Sequence, residues 1–343
     1  MSAVFWLLPL VFGASFFLTW ALLRYALRRD LIDIPNARSS HVIPTPRGGG
    51  VAIVISLLVV LPIIASMGLI SWGVMLALWG AGCGVAIQGF LDDHGHIPAR
   101  WRLLGHFLAA VWALFWLGGL PPLELFGLTL ELGWWGQAFA VIWLVWQLNL
   151  YNFMDGIDGI ASVEALAVCL GAAAIYALVG FPDDTLVPVL LATAVAGFLF
   201  WNFPPARIFM GDAGSGFLGI VIGVLSIQAA WLAPQLLWCW LILLAVFIVD
   251  ATWTLLRRLL HGDKVYEAHR SHAYQVASRR FGAHLPVTLG VLAINIMWLL
   301  PIALMVGLER LEGALGLLIA YAPLVWIVAR LKAGYSDEGH TRL

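Results

Sequence analysis

The sequence predicts an all-α polytopic membrane protein with about eleven transmembrane helices. Of its 343 residues, 62% are hydrophobic and 11% are charged, which leaves too little polar surface for soluble domains. Apolar windows of about 18 residues or more recur along the chain, each long enough to cross ~30 Å of hydrocarbon as a helix. Because the windows are continuously apolar rather than alternating, they predict helices and not a barrel. The windows cover residues 2–23, 50–68, 71–91, 102–119, 134–151, 159–180, 185–202, 214–232, 236–257, 286–306 and 312–330.

The distribution of basic residues predicts the orientation of the chain. With the N-terminus outside, Arg310 is the one residue of the 18 lysines and arginines that falls in an outer loop, which satisfies the positive-inside rule. We therefore expect a periplasmic N-terminus, a cytoplasmic C-terminus and an odd number of spans; ten spans result if windows 50–68 and 71–91 are miscounted. No basic segment precedes the first window, which favours an anchor over a cleaved signal peptide. The three cysteines fall inside windows and indicate neither a disulfide framework nor a metal site.

The candidate catalytic and binding residues lie on the inner side of a single membrane domain that covers residues 1–343. The midplane of the predicted spans is nearly free of charge, so we expect a polar site at the inner membrane–water boundary. The loops that form it lie near residues 41–50, 92–102, 149–159, 202–216 and 257–286.

Two amides and two carboxylates recur every three residues where one apolar window ends and the next begins. Asn149, Asn152 and Asp155 would share one helix face, because three-residue steps drift slowly around an axis of 3.6 residues per turn. Such groups are costly beside a bilayer unless they bind something. Helix capping is the alternative; it could account for Asp158, but not for amides inside an apolar helix.

Acids also mark the second and fourth inner loops. Asp92 and Asp93 are adjacent carboxylates that repel each other, and a divalent cation or a cationic group would relieve the repulsion. In the segment Gly211–Gly216, backbone N–H groups could hold phosphate oxygens at a helix N-terminus, and Asp212 could hold Mg²⁺. The alternatives are a pair of solvated loop acids and a plain glycine-rich turn.

Two further inner segments offer phosphate-binding groups. Thr45 and Arg47 lie in a Pro-Thr-Pro-Arg-Gly-Gly-Gly turn, which either faces a phosphate or only permits a close helix approach. Residues His269 to His272 offer imidazoles and a forked guanidinium to phosphate, with a basic stop-transfer loop as the alternative. Asp250, near the inner end of the ninth window, either pairs with arginines or belongs to the site.

Taken in order, these motifs resemble the polyprenyl-phosphate N-acetylhexosamine-1-phosphate transferases, integral membrane enzymes of glycosyltransferase family 4. The resemblance extends from about His41 to Gln275. It implies transfer of an N-acetylhexosamine 1-phosphate from a UDP-sugar to undecaprenyl phosphate, with release of UMP. It further implies Mg²⁺ as cofactor, with Mn²⁺ able to substitute. The implied partners are membrane lipids and, as an option, a second copy of the chain in a homodimer; no nucleic acid is implied. The expected location is the bacterial cytoplasmic (inner) membrane, with the active site facing the cytoplasm.

The resemblance also implies roles for the positions that match the family's motifs. Asp212 would be the main Mg²⁺ ligand, and Asp92 or Asp93 would deprotonate or orient the lipid phosphate. Phe209 would lie near the uracil. The remaining implied contacts with nucleotide, phosphate or sugar are Thr45, Arg47, Arg102, Asn149, Asn152, Asp155, Asp158, Ser215, His269, Arg270 and His272.

Two departures separate the chain from the peptidoglycan-precursor translocases of this family. Those enzymes carry three adjacent histidines where this chain has His269-Arg-Ser-His272, and His96 replaces a lysine or aspartate found in relatives. The histidine loop instead resembles the branch that initiates O-antigen or other surface polysaccharides, whose UDP-sugars are of the GlcNAc, FucNAc or QuiNAc type. A transporter or flippase is the alternative function, but it would place polar groups near the midplane in repeated halves. A non-catalytic scaffold would not need the acids and amides.

Overall fold

The computed structural model describes residues 6–35, 40–41, 43–95, 97–263 and 269–335, and these residues are predominantly helical. The helices are α1 (Leu7–Arg28), α2 (Val51–Ser66), α3 (Trp72–His94), α4 (Ala99–Leu117), α5 (Gly133–Met154), α6 (Ile160–Leu178), α7 (Leu186–Asn202), α8 (Asp212–Leu232), α9 (Pro234–Leu243), α10 (Ala245–Leu260), α11 (Ala273–Phe281), α12 (Leu285–Ile294), α13 (Leu300–Gly307) and α14 (Gly313–Arg330). A 3₁₀ turn at Pro182–Thr185 precedes α7, and a π-helical segment, Asn295–Leu299, joins α12 to α13.

Each of the eleven apolar windows contains a helix, so the prediction of a polytopic helical membrane protein is confirmed. Within the described residues, seven helical segments are long and apolar enough to span a membrane, where the 3₁₀ turn is counted with α7, and α12 to α13 count as one segment. The number is eight if the bent pair α9–α10 forms one span. Helix α2 has 16 residues and is shorter than a usual span. The count of eleven spans and the direction of the termini therefore stay predictions.

The structure differs from the predicted all-α arrangement in three respects. The window 236–257 is broken, because α9 and α10 meet at an angle of 69°. The window 286–306 contains the π-helical segment. The structure also contains two short antiparallel strand pairs that the sequence did not predict. In these pairs, β1 (Ile32–Asp33) lies beside β2 (Thr45–Pro46), and β3 (Leu123–Leu125) lies beside β4 (Leu128–Leu130). Ladders of two or three residues have too little period-two alternation to be visible in the sequence.

Helix α8 is buried along nearly its whole length and packs against α3 and α5. Glycines allow the close approach: a Cβ on Gly219 would lie 2.7 Å from the Cα of Leu148, and one on Gly89 would lie 2.6 Å from the carbonyl carbon of Asp212. Small residues let helix backbones approach closely in membranes. The N-terminus of α8 is thereby held between the C-terminal ends of α3 and α5, which is where the predicted site residues lie.

Candidate active site

A cavity of about 400 Å³ opens at the N-terminus of α8. It brings together most of the acids and amides predicted from the sequence. The residues that line it are Asp33, Ser40, His41, Arg47, Asp93, Asn152, Asp155, Gly156, Ile157, Asp158, Asn202, Phe209, Met210, Gly211, Asp212, Ser215, Gln275 and His284. A smaller cavity of about 50 Å³ shares Asn152 and Asp212 with it, and is also lined by Asp92, Arg102, His106 and Asn149. Asp212 therefore borders both cavities.

Asp93, in the last turn of α3, faces the first turn of α8. Its carboxylate oxygens accept hydrogen bonds from the backbone N–H groups of Asp212 at 3.3 Å and Ala213 at 3.4 Å. Gly211 makes this approach possible, since its φ of 78° is in the left-handed region and a Cβ there would lie 2.8 Å from Asp93 Oδ2. The helix N-terminus stabilises the negative charge of a carboxylate that is only 7% exposed.

Asp92 points to the opposite side of Asp212. Its Oδ2 accepts a hydrogen bond from Arg102 Nη1 at 2.6 Å, and its Oδ1 accepts one from the Ile97 N–H at 2.8 Å. The same Arg102 nitrogen lies 4.0 Å from Asp212 Oδ2. Both oxygens of Asp92 are thus engaged by strong donors, whereas those of Asp93 meet only long backbone bonds. The structure distinguishes two acids that the sequence could not.

The amides of α5 reach the same carboxylate from a third direction. Asn152 Nδ2 donates to Asp212 Oδ1 at 3.0 Å and lies 2.9 Å from the Ser215 hydroxyl. One turn earlier, Asn149 donates to the Val145 carbonyl and lies 3.3 Å from His106 Nδ1. Both amides line the smaller cavity, which confirms the predicted shared face for them, and Asn152 also lines the larger cavity. Asp155, the third residue of that predicted face, lies just beyond the end of α5 and lines the larger cavity.

The turn that contains Arg47 packs against residues 209–210. The N–H groups of Gly49 and Gly50 donate to the carbonyls of Phe209 and Met210, each at 2.9 Å. Arg47 Nη2 donates to the Asp93 carbonyl at 2.5 Å, so this guanidinium lines the cavity beside the acid. Thr45 is buried, and its hydroxyl donates to the Ile43 carbonyl at 2.9 Å; it lies outside the lining of both cavities.

Residues 155–158 form the floor of the larger cavity. Burial, followed by the charges of Asp212, Asp93 and Asp158, raises the pKa of Asp155 well above its ordinary value. Burial would also raise the pKa of Asp158, but hydrogen bonds from His284 and from the Ala206 N–H hold it below its ordinary value. Neighbouring carboxylates in the same loop thus have opposite electrostatic environments. The structure gives Asp158 no capping role, because the residue that precedes α6 is Gly159.

Residues 269–272, which precede α11, lie outside the lining of the cavity. His272 is 3% exposed, and its Nδ1 lies 3.4 Å from Asp250 Oδ1. Burial, together with the charges of His272 and Arg258, lowers the pKa of His269 to about 3, so its imidazole is neutral at pH 7. Neither histidine nor Arg270 belongs to the lining of the cavities, although Gln275 of α11 does. His96 and residues 264–268 of the fifth inner loop lie outside the described residues.

Asp250 holds the start of α11. Its Oδ1 accepts the Ala273 N–H at 2.8 Å, and its Oδ2 accepts the Tyr274 N–H at 3.0 Å. Tyr274 in turn donates its hydroxyl to the Phe153 carbonyl at 2.9 Å, at the end of α5. A Cβ on Gly156 would collide with that hydroxyl. Asp250 is therefore a helix cap that connects α10, through α11, to the cavity floor.

The donor set fits Mg²⁺ bound jointly by protein and substrate. Among the described residues, no group of three or more histidines, cysteines, aspartates or glutamates is arranged to hold a metal ion by itself. Mg²⁺ does not need such a cage, since it is usually held by one or two carboxylates, waters and substrate phosphates. Asp212 offers a carboxylate that is 41% exposed and borders both cavities. It is the residue best placed to share an ion with a phosphorylated ligand.

Comparison with known proteins connects this site to a family. A model of glycosyl transferase family 4 matches residues 75–230. A probable undecaprenyl-phosphate N-acetylglucosaminyl 1-phosphate transferase of Bacillus subtilis is 32% identical over 259 residues, which cover 73% of this chain and 70% of the relative. A decaprenyl-phosphate N-acetylglucosaminephosphotransferase of Mycolicibacterium smegmatis is 31% identical over 288 residues, 71% of this chain and 69% of the relative. An undecaprenyl-phosphate alpha-N-acetylglucosaminyl 1-phosphate transferase of Thermotoga maritima is 29% identical over 268 residues, 78% and 80% of the two chains.

The fold and the acid-lined cavity define a multi-pass membrane protein with a polar site where several helices end. The matched region includes Asp92, Asp93, Asn152, Asp155 and Asp212. The chain belongs to glycosyl transferase family 4, in the group of polyprenyl-phosphate hexosamine-1-phosphate transferases, as the order of its motifs predicted.

Proposed function

We propose that this protein transfers an N-acetylhexosamine 1-phosphate from a UDP-sugar to a polyprenyl phosphate and releases UMP. The observation that carries the proposal is the position of Asp212, at a helix N-terminus and between two cavities, with Asp93 on one side and the Asp92–Arg102 pair on the other. Anionic groups are favoured at a helix N-terminus. The names of the relatives from Bacillus subtilis and Thermotoga maritima describe transfer to undecaprenyl phosphate.

The larger cavity is the proposed site of the nucleotide. Phe209 lines it, and its ring packs edge-on against His41 with centroids 4.8 Å apart. An aromatic face beside hydrogen-bonding groups suits a pyrimidine base. Asp93 and Asp212 line the same cavity as Phe209, so the proposed base site and these acids share one continuous space. The pyrophosphate would then extend toward Asp212 and Arg47.

Phosphoryl transfer depends on positioning and charge stabilisation more than on covalent chemistry by the protein. In the proposed step, an oxygen of the polyprenyl phosphate attacks the sugar-linked phosphorus. The bond from that phosphorus to the bridging oxygen breaks, and UMP leaves with the electron pair. Asp93 accepts any proton still on the attacking phosphate, because its oxygens have free lone pairs while those of Asp92 are engaged. Asp92 holds Arg102 toward the phosphate charge.

Asp212 would hold Mg²⁺, with Asn152 orienting its carboxylate through the 3.0 Å hydrogen bond. When bound, the ion would neutralise charge on the phosphate oxygens. Mn²⁺ is expected to substitute, since it favours the same carboxylate and water ligands.

The test uses the purified protein in detergent with undecaprenyl phosphate and a panel of UDP-GlcNAc, UDP-FucNAc and UDP-QuiNAc. We expect UMP release and a pyrophosphate-linked lipid product with at least one donor, only when Mg²⁺ or Mn²⁺ is present. Asp212→Asn should lower turnover by about 10²-fold or more, whereas Asp183→Asn, an exposed acid in the turn before α7, should not. Full turnover by Asp212→Asn would contradict the metal assignment.

The finer proposal concerns the biological setting. The His269-Arg-Ser-His272 loop favours an enzyme that initiates O-antigen or another surface polysaccharide, in the cytoplasmic membrane with its site facing the cytoplasm. Deletion of the gene should remove one surface polysaccharide while peptidoglycan synthesis continues. Cross-linking in membranes would test for a homodimer. A requirement for UDP-MurNAc-pentapeptide as donor would contradict this setting.

A further inference from the structure

His284, which immediately precedes α12, makes the shortest side-chain contact to Asp158. Its Nδ1 lies 3.0 Å from Asp158 Oδ1. The other carboxylate oxygen accepts the Ala206 N–H at 3.0 Å, and the Asp158 carbonyl accepts the Thr288 hydroxyl at 2.8 Å. Every oxygen of Asp158 is thus engaged by a donor from another segment. His284 also lines the larger cavity, although no motif in the sequence pointed to it.

The second ring nitrogen of His284 fixes its protonation. Nε2 lies 3.2 Å from the Ser40 carbonyl, so both ring nitrogens face oxygen acceptors. The Asp158 N–H also points at Nδ1, at 3.3 Å, but a deprotonated Nδ1 would place its lone pair 3.0 Å from a carboxylate oxygen. The imidazolium, which donates from both nitrogens, satisfies both acceptors and carries the charge that faces Asp158.

This histidine connects three segments that are far apart in sequence. It lies 126 residues from Asp158 and 244 residues from Ser40. Ser40, Asp158 and His284 all line the cavity, and the neighbour of Ser40, His41, packs against the Phe209 ring with centroids 4.8 Å apart. The segment before the Arg47 turn, the floor of the cavity and the start of α12 are therefore held together at one imidazole.

We infer that His284 is a positioning residue that fixes the Asp158 carboxylate and the Ser40 segment around the nucleotide end of the cavity. The inference rests on the proposed function, because it assigns the work of His284 to binding of the UDP-sugar. Without this imidazolium, Asp158 would keep its backbone partner at Ala206 but lose its charged partner. The base end of the cavity would loosen, while Asp93 and Asp212 would keep their own contacts. Donor binding, rather than the chemical step, is the quantity that His284 controls.

A double-mutant cycle on donor kinetics tests the inference. We expect His284→Ala to raise the KM for the UDP-sugar about tenfold to a hundredfold, with kcat within about threefold of wild type, as for loss of a hydrogen bond to a charged group. His284→Gln, which can donate to only one of the two acceptors at a time, should give a smaller rise. Because His284 acts partly through Asp158 and partly through Ser40, the pair His284→Ala with Asp158→Asn should raise the KM by clearly less than the product of the two single effects.

Gln235→Ala is the matched control, since it removes a 2.9 Å hydrogen bond to Glu309 beyond the C-terminal end of α8. It should leave both kinetic parameters unchanged. An unchanged KM in His284→Ala, equal losses of kcat in all variants, or additive effects in the double mutant would each overturn the role of His284. Failure of the wild-type protein to turn over any donor is a different result, and it would overturn the proposed function itself.

Discussion

The strongest prediction on stability concerns Asp250. Its carboxylate is 3% exposed and accepts the Ala273 and Tyr274 N–H groups at 2.8 and 3.0 Å. The Thr254 hydroxyl donates to it as well, at 3.1 Å. Asp250→Ala would remove these acceptors from a place that water does not reach. The first turn of α11 would then have two unpaired donors, which is the arrangement that helix caps normally prevent.

The magnitude follows from the two backbone donors. Loss of an N-terminal cap costs about 0.5–2 kcal/mol, and a buried donor left without a partner costs about 1–3 kcal/mol. We expect Asp250→Ala to lower the free energy of unfolding by roughly 2–5 kcal/mol. Asp250→Asn keeps one acceptor oxygen and should lose about half as much. Turnover should also fall in the alanine variant, because α11 holds Tyr274 against Phe153 at the cavity floor.

Thermal unfolding in detergent, followed by near-ultraviolet circular dichroism, measures the effect. The expected shift for Asp250→Ala is roughly 3–7 °C downward. Asp183→Ala, an exposed aspartate in the 3₁₀ turn before α7, is the control and should shift the midpoint by less than about 1 °C. A midpoint for Asp250→Ala equal to that of the control would refute the capping role. Tyr274→Phe, which keeps the cap and loses the contact with Phe153, should reduce turnover more than stability.

Three further predictions concern ionisable groups. Asp93→Asn should reduce turnover at every pH, whereas Asp92→Asn should chiefly raise the KM for the lipid phosphate, because it releases Arg102. Steady-state kinetics with varied acceptor concentration distinguishes these two effects. The Asp158–His284 pair should stabilise the fold most from about pH 4 to about pH 6.5, because the pKa of Asp158 is lowered and that of His284 is raised. This stability is lost as the pH falls through the folded pKa of Asp158 or rises through that of His284, and His284→Gln should flatten the alkaline limb of unfolding against pH. Glu164→Gln should leave the free energy of unfolding unchanged or raise it by up to about 1 kcal/mol, because the glutamine supplies an N–H to the unpaired amide oxygen of Asn295. A large loss of stability in a denaturation assay would show that Glu164 is needed as an acid.

The sequence predicted the residues whose spacing is local. Asn152 and Asp155 are one turn apart at the end of α5, and Asp212 begins the buried helix α8 directly after a glycine, so period and turn chemistry were sufficient to single them out as candidates. His284 could not be found this way, because its partners lie more than a hundred residues away in the sequence. For His272 the sequence predicted a substrate contact that no observation tests. The structure buries it against Asp250, because α11 begins at the next residue.

The charges of the cavity strengthen the case for a cation. Five of its lining residues are aspartates; Asp158 is paired with the His284 imidazolium, and the pKa of Asp155 is raised by burial. The other three aspartates share the cavity with Arg47, the one arginine among the lining residues that the structure describes. That guanidinium donates to a backbone carbonyl, while Arg102 is engaged by Asp92 on the other side of Asp212. Both proposed substrates are phosphates and would be repelled by uncompensated carboxylates. A divalent ion reverses that sign locally, since it is the largest charge in such a site. We therefore propose that a divalent ion and the phosphorylated donor would complete the site together, in which case the protein would not need a preformed cage of ligands.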